Sequence, residues 1–263
     1  MAVTRSRRKA ALLDPTIIAP TEYLPGSQLR RSSKLTDRRN DPRRSRVIHQ
    51  PLGLPFMLQP ASFGLMQERI LTSLYALLIQ SILWNQTHGL QARPILFKIL
   101  TLYPTPAALS LAPVEILSQL LQPIGLQNIR AARLIAFGKT WVEAPPCATR
   151  RYRKLNYPTR GSGKNIRPGE ILATDDARQG WEVAHLPGMG PYALDSYRIF
   201  YRDQLRDLEG REGVEPEWMR VVPGDKDLSA YLVWKWQQYG WDWDAHTGKR
   251  TLMTASKIRE ETD

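Results

Sequence analysis

The stretch Leu186–Phe200, LPGMGPYALDSYRIF, constrains this chain more than any other. Pro187 discourages continuation of a helix that reaches Leu186, and two glycines flank one methionine before Pro191. Glycine permits the positive φ of a tight reversal. Pro191 suits the first turn of a new helix, where its missing N–H costs nothing. The free amides around Gly188–Tyr192 then face outward at a helix N-terminus, which takes anions readily. The spacing is too short for a dinucleotide fingerprint, and the phosphate-loop lysine is missing.

Two readings of this segment follow. One is an ordinary tight turn between packed helices. The other is a helix-hairpin-helix, a grip on a phosphate backbone that does not read bases. Charge favours the second: the 263 residues carry 37 Lys and Arg against 25 Asp and Glu, a formal net charge of +12. Such a balance suits an anionic polymer or surface. Eight of those charges fall in residues 1–50, which hold twelve basic residues and four acids with little apolar periodicity. Residues 1–55 are therefore expected to form a disordered basic arm that binds phosphates, carries a nuclear-import signal or serves solubility.

The sequence also excludes several classes. No apolar run reaches the roughly 18 residues a membrane span needs, and no secretory apolar segment opens the sequence. Cys147 is the single cysteine, so intrachain disulfides, multi-cysteine zinc sites and a four-cysteine iron–sulfur cluster are ruled out. A reducing intracellular compartment fits. His49, His88, His185 and His246 are scattered, with no spacing for metal ligation or nucleophilic catalysis.

Apolar periodicity predicts helices over about 65–83, 90–102, 105–110, 113–121, 127–142, 178–186, 191–201 and 226–238. In the 127–142 helix the apolar positions are Ile129, Leu134, Ile135 and Trp141. Residues 144–180 have no usable period and are rich in Pro, Gly, Lys and Arg, which predicts an inserted, mobile basic loop. Convincing strands are absent, so the expected class is all-α.

The hairpin segment resembles that of the HhH-GPD superfamily of DNA glycosylases, and within it the glycosylase domain of the methyl-CpG-binding-domain thymine/uracil glycosylases. Four more stretches match in order: LMQERILTSLYALLIQSILWNQTHG, PILFKILTLYPT, LLQPIGLQNIRAARLIAFGKTW and VVPGDKDLSAYLVWKW. The resemblance covers about 65–142 and 181–240 and includes no methyl-CpG-binding domain. It implies a glycosylase domain over 56–245, with insertions at about 144–180 and 202–220 and a tail at 246–263.

Roles carried across from the family are as follows. The aspartate that opens the helix after the hairpin matches Asp225. A fixed carboxylate there stabilises positive charge growing on the sugar or activates the attacking water. Asp225 is also a good helix N-cap, and the two roles are compatible. Asp227 is the rival carboxylate, and Asp195 is expected to be structural. Relatives that also cut the backbone carry a lysine two positions after the last hairpin glycine. This chain has Tyr192, so the resemblance implies a monofunctional enzyme.

Tyr192 and Gln67 match residues lining the base pocket, where stacking and amide hydrogen bonds suit a flipped pyrimidine. The alternatives are helix packing for Tyr192 and an exposed helical position for Gln67. Gln86 stands where the relative has its plugging arginine. Leu126 matches an apolar wedge, with a core leucine as the alternative. Gly188, Met189, Gly190 and Tyr192 are the expected DNA-contacting hairpin. Backbone carbonyls of Ala184, Leu186 and Met189 match a monovalent cation site, K+ or Na+, formed with DNA.

Two departures from the family stand out. The 35 positions from Gly190 to Asp225 exceed the family pattern, and Asp227 replaces a lysine. The expected protein is a monomeric nuclear DNA glycosylase acting on thymine or uracil opposite guanine in duplex DNA, with no required cofactor and no iron–sulfur cluster. The alternatives are a catalytically silent DNA-structure-binding protein and a glycosylase for another damaged base.

Overall fold

The apolar run expected to form one helix over 65–83 forms two, α1 (Met66–Arg69) and α2 (Leu74–Trp84). Ser73 makes the break: its backbone is extended and its side chain accepts the Ala76 N–H at 3.2 Å. A serine that satisfies a free amide of the next turn starts a helix rather than continuing one. The computed structural model describes residues 62–253. The expected arm at 1–55 and the last ten positions of the expected tail lie outside the described residues.

Helix α2 is buried from Leu74 to Leu83 and belongs to the larger apolar core of the described residues. Helices α3 (Gly89–Leu102) and α6 (Gln127–Glu143) pack on α2, while α4 (Pro106–Ser110) and α5 (Val114–Leu121), which leads into a 3₁₀ turn at Gln122–Ile124, pack on α6. Gly138 lets α6 press onto α4, since a Cβ there would stand 2.7 Å from the Ser110 nitrogen. Leu134 and Phe137 face this core. Ile129, expected among the apolar positions of that helix, is instead 56% exposed.

Residues 144–180 are a packed element rather than a mobile loop. Two short antiparallel strands, β1 (Arg151–Tyr152) and β2 (Ile171–Leu172), pair with Arg151 opposite Leu172. Tyr157, Ile166 and Leu172 are buried and supply the apolar anchors that the lack of period concealed. Arg151 is buried as well and donates to the carbonyls of Arg178, Ala173 and Asp176 at 3.0, 2.7 and 2.6 Å. One guanidinium thus satisfies the loop's inward carbonyls.

The helix expected at 178–186 is absent. Trp181 spends its backbone on a bridge to Tyr152, with reciprocal N–H to carbonyl bonds of 3.0 Å. Turns follow instead, with the Ala184 and Leu186 amides donating to the Trp181 and Val183 carbonyls at 3.3 and 3.1 Å. The expected hairpin therefore has one regular helix, α7 (Pro191–Phe200), which packs on α2.

The segment 202–220 holds α8 (Arg202–Leu205) and a 3₁₀ turn at Glu217–Arg220. Buried ion pairs tie the 202–220 segment to α7 and to Glu182. Glu182 accepts from Arg202 Nε at 3.1 Å and from the Tyr197 hydroxyl at 3.1 Å. Glu217 accepts from Arg198 Nε at 2.6 Å and Arg202 Nη1 at 2.8 Å. Burial pushes the Glu217 carboxyl pKa up, but the Arg202 and Arg198 guanidiniums outweigh it and hold it below the usual range.

Helix α9 (Lys226–Gln238) closes a second apolar cluster with Trp218, Trp236 and Trp243. A hairpin of β3 (Trp241–Trp243) and β4 (Arg250–Leu252) follows, so regular structure runs past residue 245, where the tail was expected to begin. Among the described residues no helix is long and apolar enough to cross a membrane.

Candidate functional site

The turn before α7 is shaped by one glycine and left open by another. Gly188 has φ +94°, and a Cβ there would lie 2.8 Å from Ile82 Cγ1 in α2 and 3.2 Å from Arg133 Cδ in α6. Glycine is required both for the dihedral and for the close approach. Gly190 was expected to share the positive φ but is extended, with φ −81° and ψ −178°. A Cβ there would meet nothing within 4 Å. Packing therefore does not demand a glycine at 190, and the space above it is free for an incoming group.

Met189 is 1% exposed, so this expected DNA contact can offer its backbone alone. Leu194 makes the first helical bond of α7, to the Gly190 carbonyl at 3.0 Å. The Tyr192 and Ala193 amides precede that bond, and no side chain caps them. Arg133, which the sequence reading did not single out, sets a cationic side chain beside this turn.

One residue into α7, the Tyr192 hydroxyl accepts from Gln67 Nε2 and Gln80 Nε2, each at 3.0 Å. Gln67 is buried, not an exposed helical residue. It is presented by α1, which Glu68 anchors by accepting from the Gly64, Leu65 and Phe63 amides at 2.6, 2.8 and 3.1 Å. Gln80 was missed in the sequence. Its signal was there: it is the one long polar side chain in LYALLIQSILW, a helix buried almost all round. Burial pushes the Tyr192 hydroxyl pKa up; the Gln80 amide pulls against it, and the charge of nearby Asp225 adds to the rise.

Asp225 is half-buried at the N-cap of α9. Its Oδ1 accepts the Asp227 and Leu228 amides at 3.0 Å each. Both bonds fall on one oxygen, so Oδ2 takes no part in the cap. The capping reading therefore holds, and the carboxylate is near enough for its charge to act on the Tyr192 hydroxyl. Asp227 is exposed.

Asp195 is buried and accepts from the Tyr157 hydroxyl at 2.6 Å. Burial pushes its pKa up to about 6, against the Tyr157 hydroxyl, the Arg198 charge and the Gly224 amide, while Asp225 raises it further. The expected structural role has a definite form here: Asp195 ties the 144–180 segment to the backbone immediately before Asp225.

Gln86 and Leu126 form two projecting tips. Both adopt left-handed backbone, φ 57° at Gln86 and φ 52° at Leu126. Leu126 is the N-cap of α6 and is 52% exposed, so it is not a core leucine. Such conformations in non-glycine residues store strain, and they gather at functional sites.

Of the expected cation ligands, the Leu186 carbonyl accepts one long bond, from the Met189 amide at 3.4 Å, and keeps a lone pair. Among the described residues, no three His, Cys, Asp or Glu side chains gather as a metal site. A cavity of about 380 Å3 lies elsewhere, lined by Phe200, Asp203, Trp218, Tyr231 and Lys235 but not by Gln67, Tyr192 or Asp225.

No protein-family model matches the sequence. Among solved structures, the chain is similar to one described as a thermostable thymine-DNA glycosylase. The identity is 20% and the TM-score 0.33, with 56% of this chain and 54% of that chain covered. The chain thus spans about half the length of that structure.

Proposed function

We propose that the protein is a monofunctional DNA glycosylase of the HhH-GPD type, which flips a thymine or uracil mispaired with guanine and hydrolyses its N-glycosidic bond. The observation that carries this reading is the cluster at the start of α7. There, an outward helix N-terminus, a tyrosine held by two buried glutamines and a half-exposed carboxylate share one neighbourhood.

In this reading the Tyr192 and Ala193 amides, which precede the first helical bond of α7 and have no side-chain cap, take a backbone phosphate, and Arg133 adds its charge beside them. The Gln67, Gln80 and Tyr192 polar groups meet the edge of the flipped pyrimidine. Asp225 uses Oδ1 to hold α9 and Oδ2 to steady the sugar or to deprotonate water as the bond breaks. Carbonyls of Ala184, Leu186 and Met189 would hold a monovalent cation against the same phosphate, supplying charge there and no chemistry. The basic arm adds sequence-independent phosphate contacts in a nuclear setting.

With Tyr192 in the position where bifunctional relatives carry lysine, no Schiff base forms at that site. A panel of duplexes bearing T·G, U·G, oxidised or alkylated bases tests the reading. The expected product is an intact abasic strand from T·G or U·G that breaks only in hot alkali, with no adduct trapped by borohydride. Cleavage of another base alone changes the substrate. A trapped adduct points to Lys226, exposed beside Asp225. The second reading, a silent DNA-structure binder, draws on the fact that the Asp225 cap alone accounts for its fold role. Binding to distorted duplexes with no cleavage anywhere on the panel would establish it.

A further inference from the structure

Arg130 is 3% exposed and lies four residues into α6, where its amide donates to the Leu126 carbonyl at 2.9 Å. Its guanidinium leaves α6 and closes the end of α2. Nη1 donates to the Leu83 carbonyl at 2.5 Å and the Ile82 carbonyl at 3.4 Å. Nη2 donates to the Asn85 carbonyl at 2.9 Å and to Thr87 Oγ1 at 2.5 Å. The last carbonyls of a helix lack intrahelical partners and carry partial negative charge, so a planar cation with several donors suits them. These acceptors bracket Gln86 on both sides, and Leu126 begins the helix from which Arg130 extends.

The two tips have no regular structure in common, and each is held in left-handed backbone. Left to itself, each strained turn would relax independently. Ile82, whose carbonyl Arg130 also reaches, is the residue against which Gly188 packs. Phosphate-binding turn and tips are thereby referred to one point at the end of α2.

We propose that Arg130 is a positioning residue that locks the Gln86 tip and the Leu126 tip into one rigid wedge, so that both enter a distorted DNA duplex in a fixed relation. The proposal rests on the glycosylase reading above, since it takes the tips to be the parts that fill the stack when a base leaves. Arg130 touches no DNA in this arrangement; it is buried, and its Nη1 and Nη2 are taken by three backbone carbonyls and the Thr87 hydroxyl. The wedge is built from two loops about 40 residues apart in sequence, and the arginine gives them a common register.

The test uses the full chain and a duplex with 2-aminopurine beside a T·G pair, whose fluorescence rises when stacking is lost. The parent is expected to give a fast rise. Arg130→Lys keeps the charge but cannot span the Leu83 and Asn85 carbonyls and the Thr87 hydroxyl together. Its rise should slow on the order of 10²-fold, the scale of an ångström-sized misplacement. Affinity for an undamaged duplex and its salt dependence should stay at the parent's values, because a buried guanidinium neutralises no phosphate. In the parent, Gln86→Ala and Leu126→Ala should be non-additive; in the Arg130→Lys background they should add. Should Arg130→Lys fail to fold, Thr87→Val removes one acceptor on the loop side and should slow the rise several-fold. A responsive parent with an equally responsive Arg130→Lys or Thr87→Val variant overturns the clamp alone. A parent that binds T·G and gives no rise contradicts base extrusion itself, and with it the wedge.

Discussion

The two ends of α7 are built from different chemistry. At its C-terminal end, Arg198 and Arg202 are buried with Glu182 and Glu217 in a charged network that ties the 202–220 segment to α7. At its N-terminal end the partners are neutral: a tyrosine hydroxyl and two glutamine amides, beside a carboxylate left half-exposed. Buried charges are costly unless each keeps its partner, so the first end fixes how the chain folds. The second end holds an orientation at little electrostatic cost and leaves Asp225 available. Asp195 sits between the two, taking the Tyr157 hydroxyl from the 144–180 segment and feeling both Arg198 and Asp225.

The sharpest way to break this contrast is to unpair the charged end. Glu217→Ala leaves two buried guanidiniums short of a carboxylate and should cost about 3–5 kcal/mol of stability, measured by denaturant unfolding. A loss no larger than that of an exposed substitution would mean the network is incidental.

Next is Asp195, whose pKa of about 6 makes a pH signature. The folded protein binds this proton more tightly than the unfolded chain. The resulting stability is present below the usual carboxylate range near pH 4 and is lost as pH rises through about 6. Asp195→Asn lacks the titration, so between pH 4 and 7 the parent should lose roughly 2 kcal/mol relative to the variant. A difference that stays flat with pH would place Asp195 in a wetter environment than its burial indicates.

The smallest effect belongs to the neutral end. Tyr192→Phe strips the shared acceptor from Gln67 and Gln80 and should cost about 1–3 kcal/mol. Its mark should be weaker pyrimidine recognition, read as a raised KM for the lesion duplex. An unchanged KM would make the tyrosine a packing residue.

The same contrast explains what the sequence disclosed. Helices with an uninterrupted stripe, such as those at 90–102 and 226–238, were legible because local period decides them, and at 226–238 the Asp225 cap does so as well. The break at Ser73 was a local signal overridden by the apolar run around it. The missing helix at 178–186 was not local at all: Trp181 pairs with Tyr152 in a strand bridge. The site divided the same way. Gln67, Tyr192 and Asp225 could be placed because a resemblance joined their segments. Gln80 and Arg130 act through bonds across 112 and about 45 residues, which no spacing rule reports.

The central claim is that Asp225 does chemistry in addition to capping α9. Asp225→Asn keeps shape and cap, since Asn caps about as well as Asp, and removes the charge. Single-turnover cleavage of a T·G or U·G duplex by this variant should fall about 10²–10³-fold, roughly 3–4 kcal/mol of barrier. Its unfolding midpoint should match the parent's, and lesion binding should be retained. Asp227→Asn, changed in parallel, should lose far less. Cleavage by Asp225→Asn at the parent's rate would contradict the account and leave Asp225 as a helix cap alone.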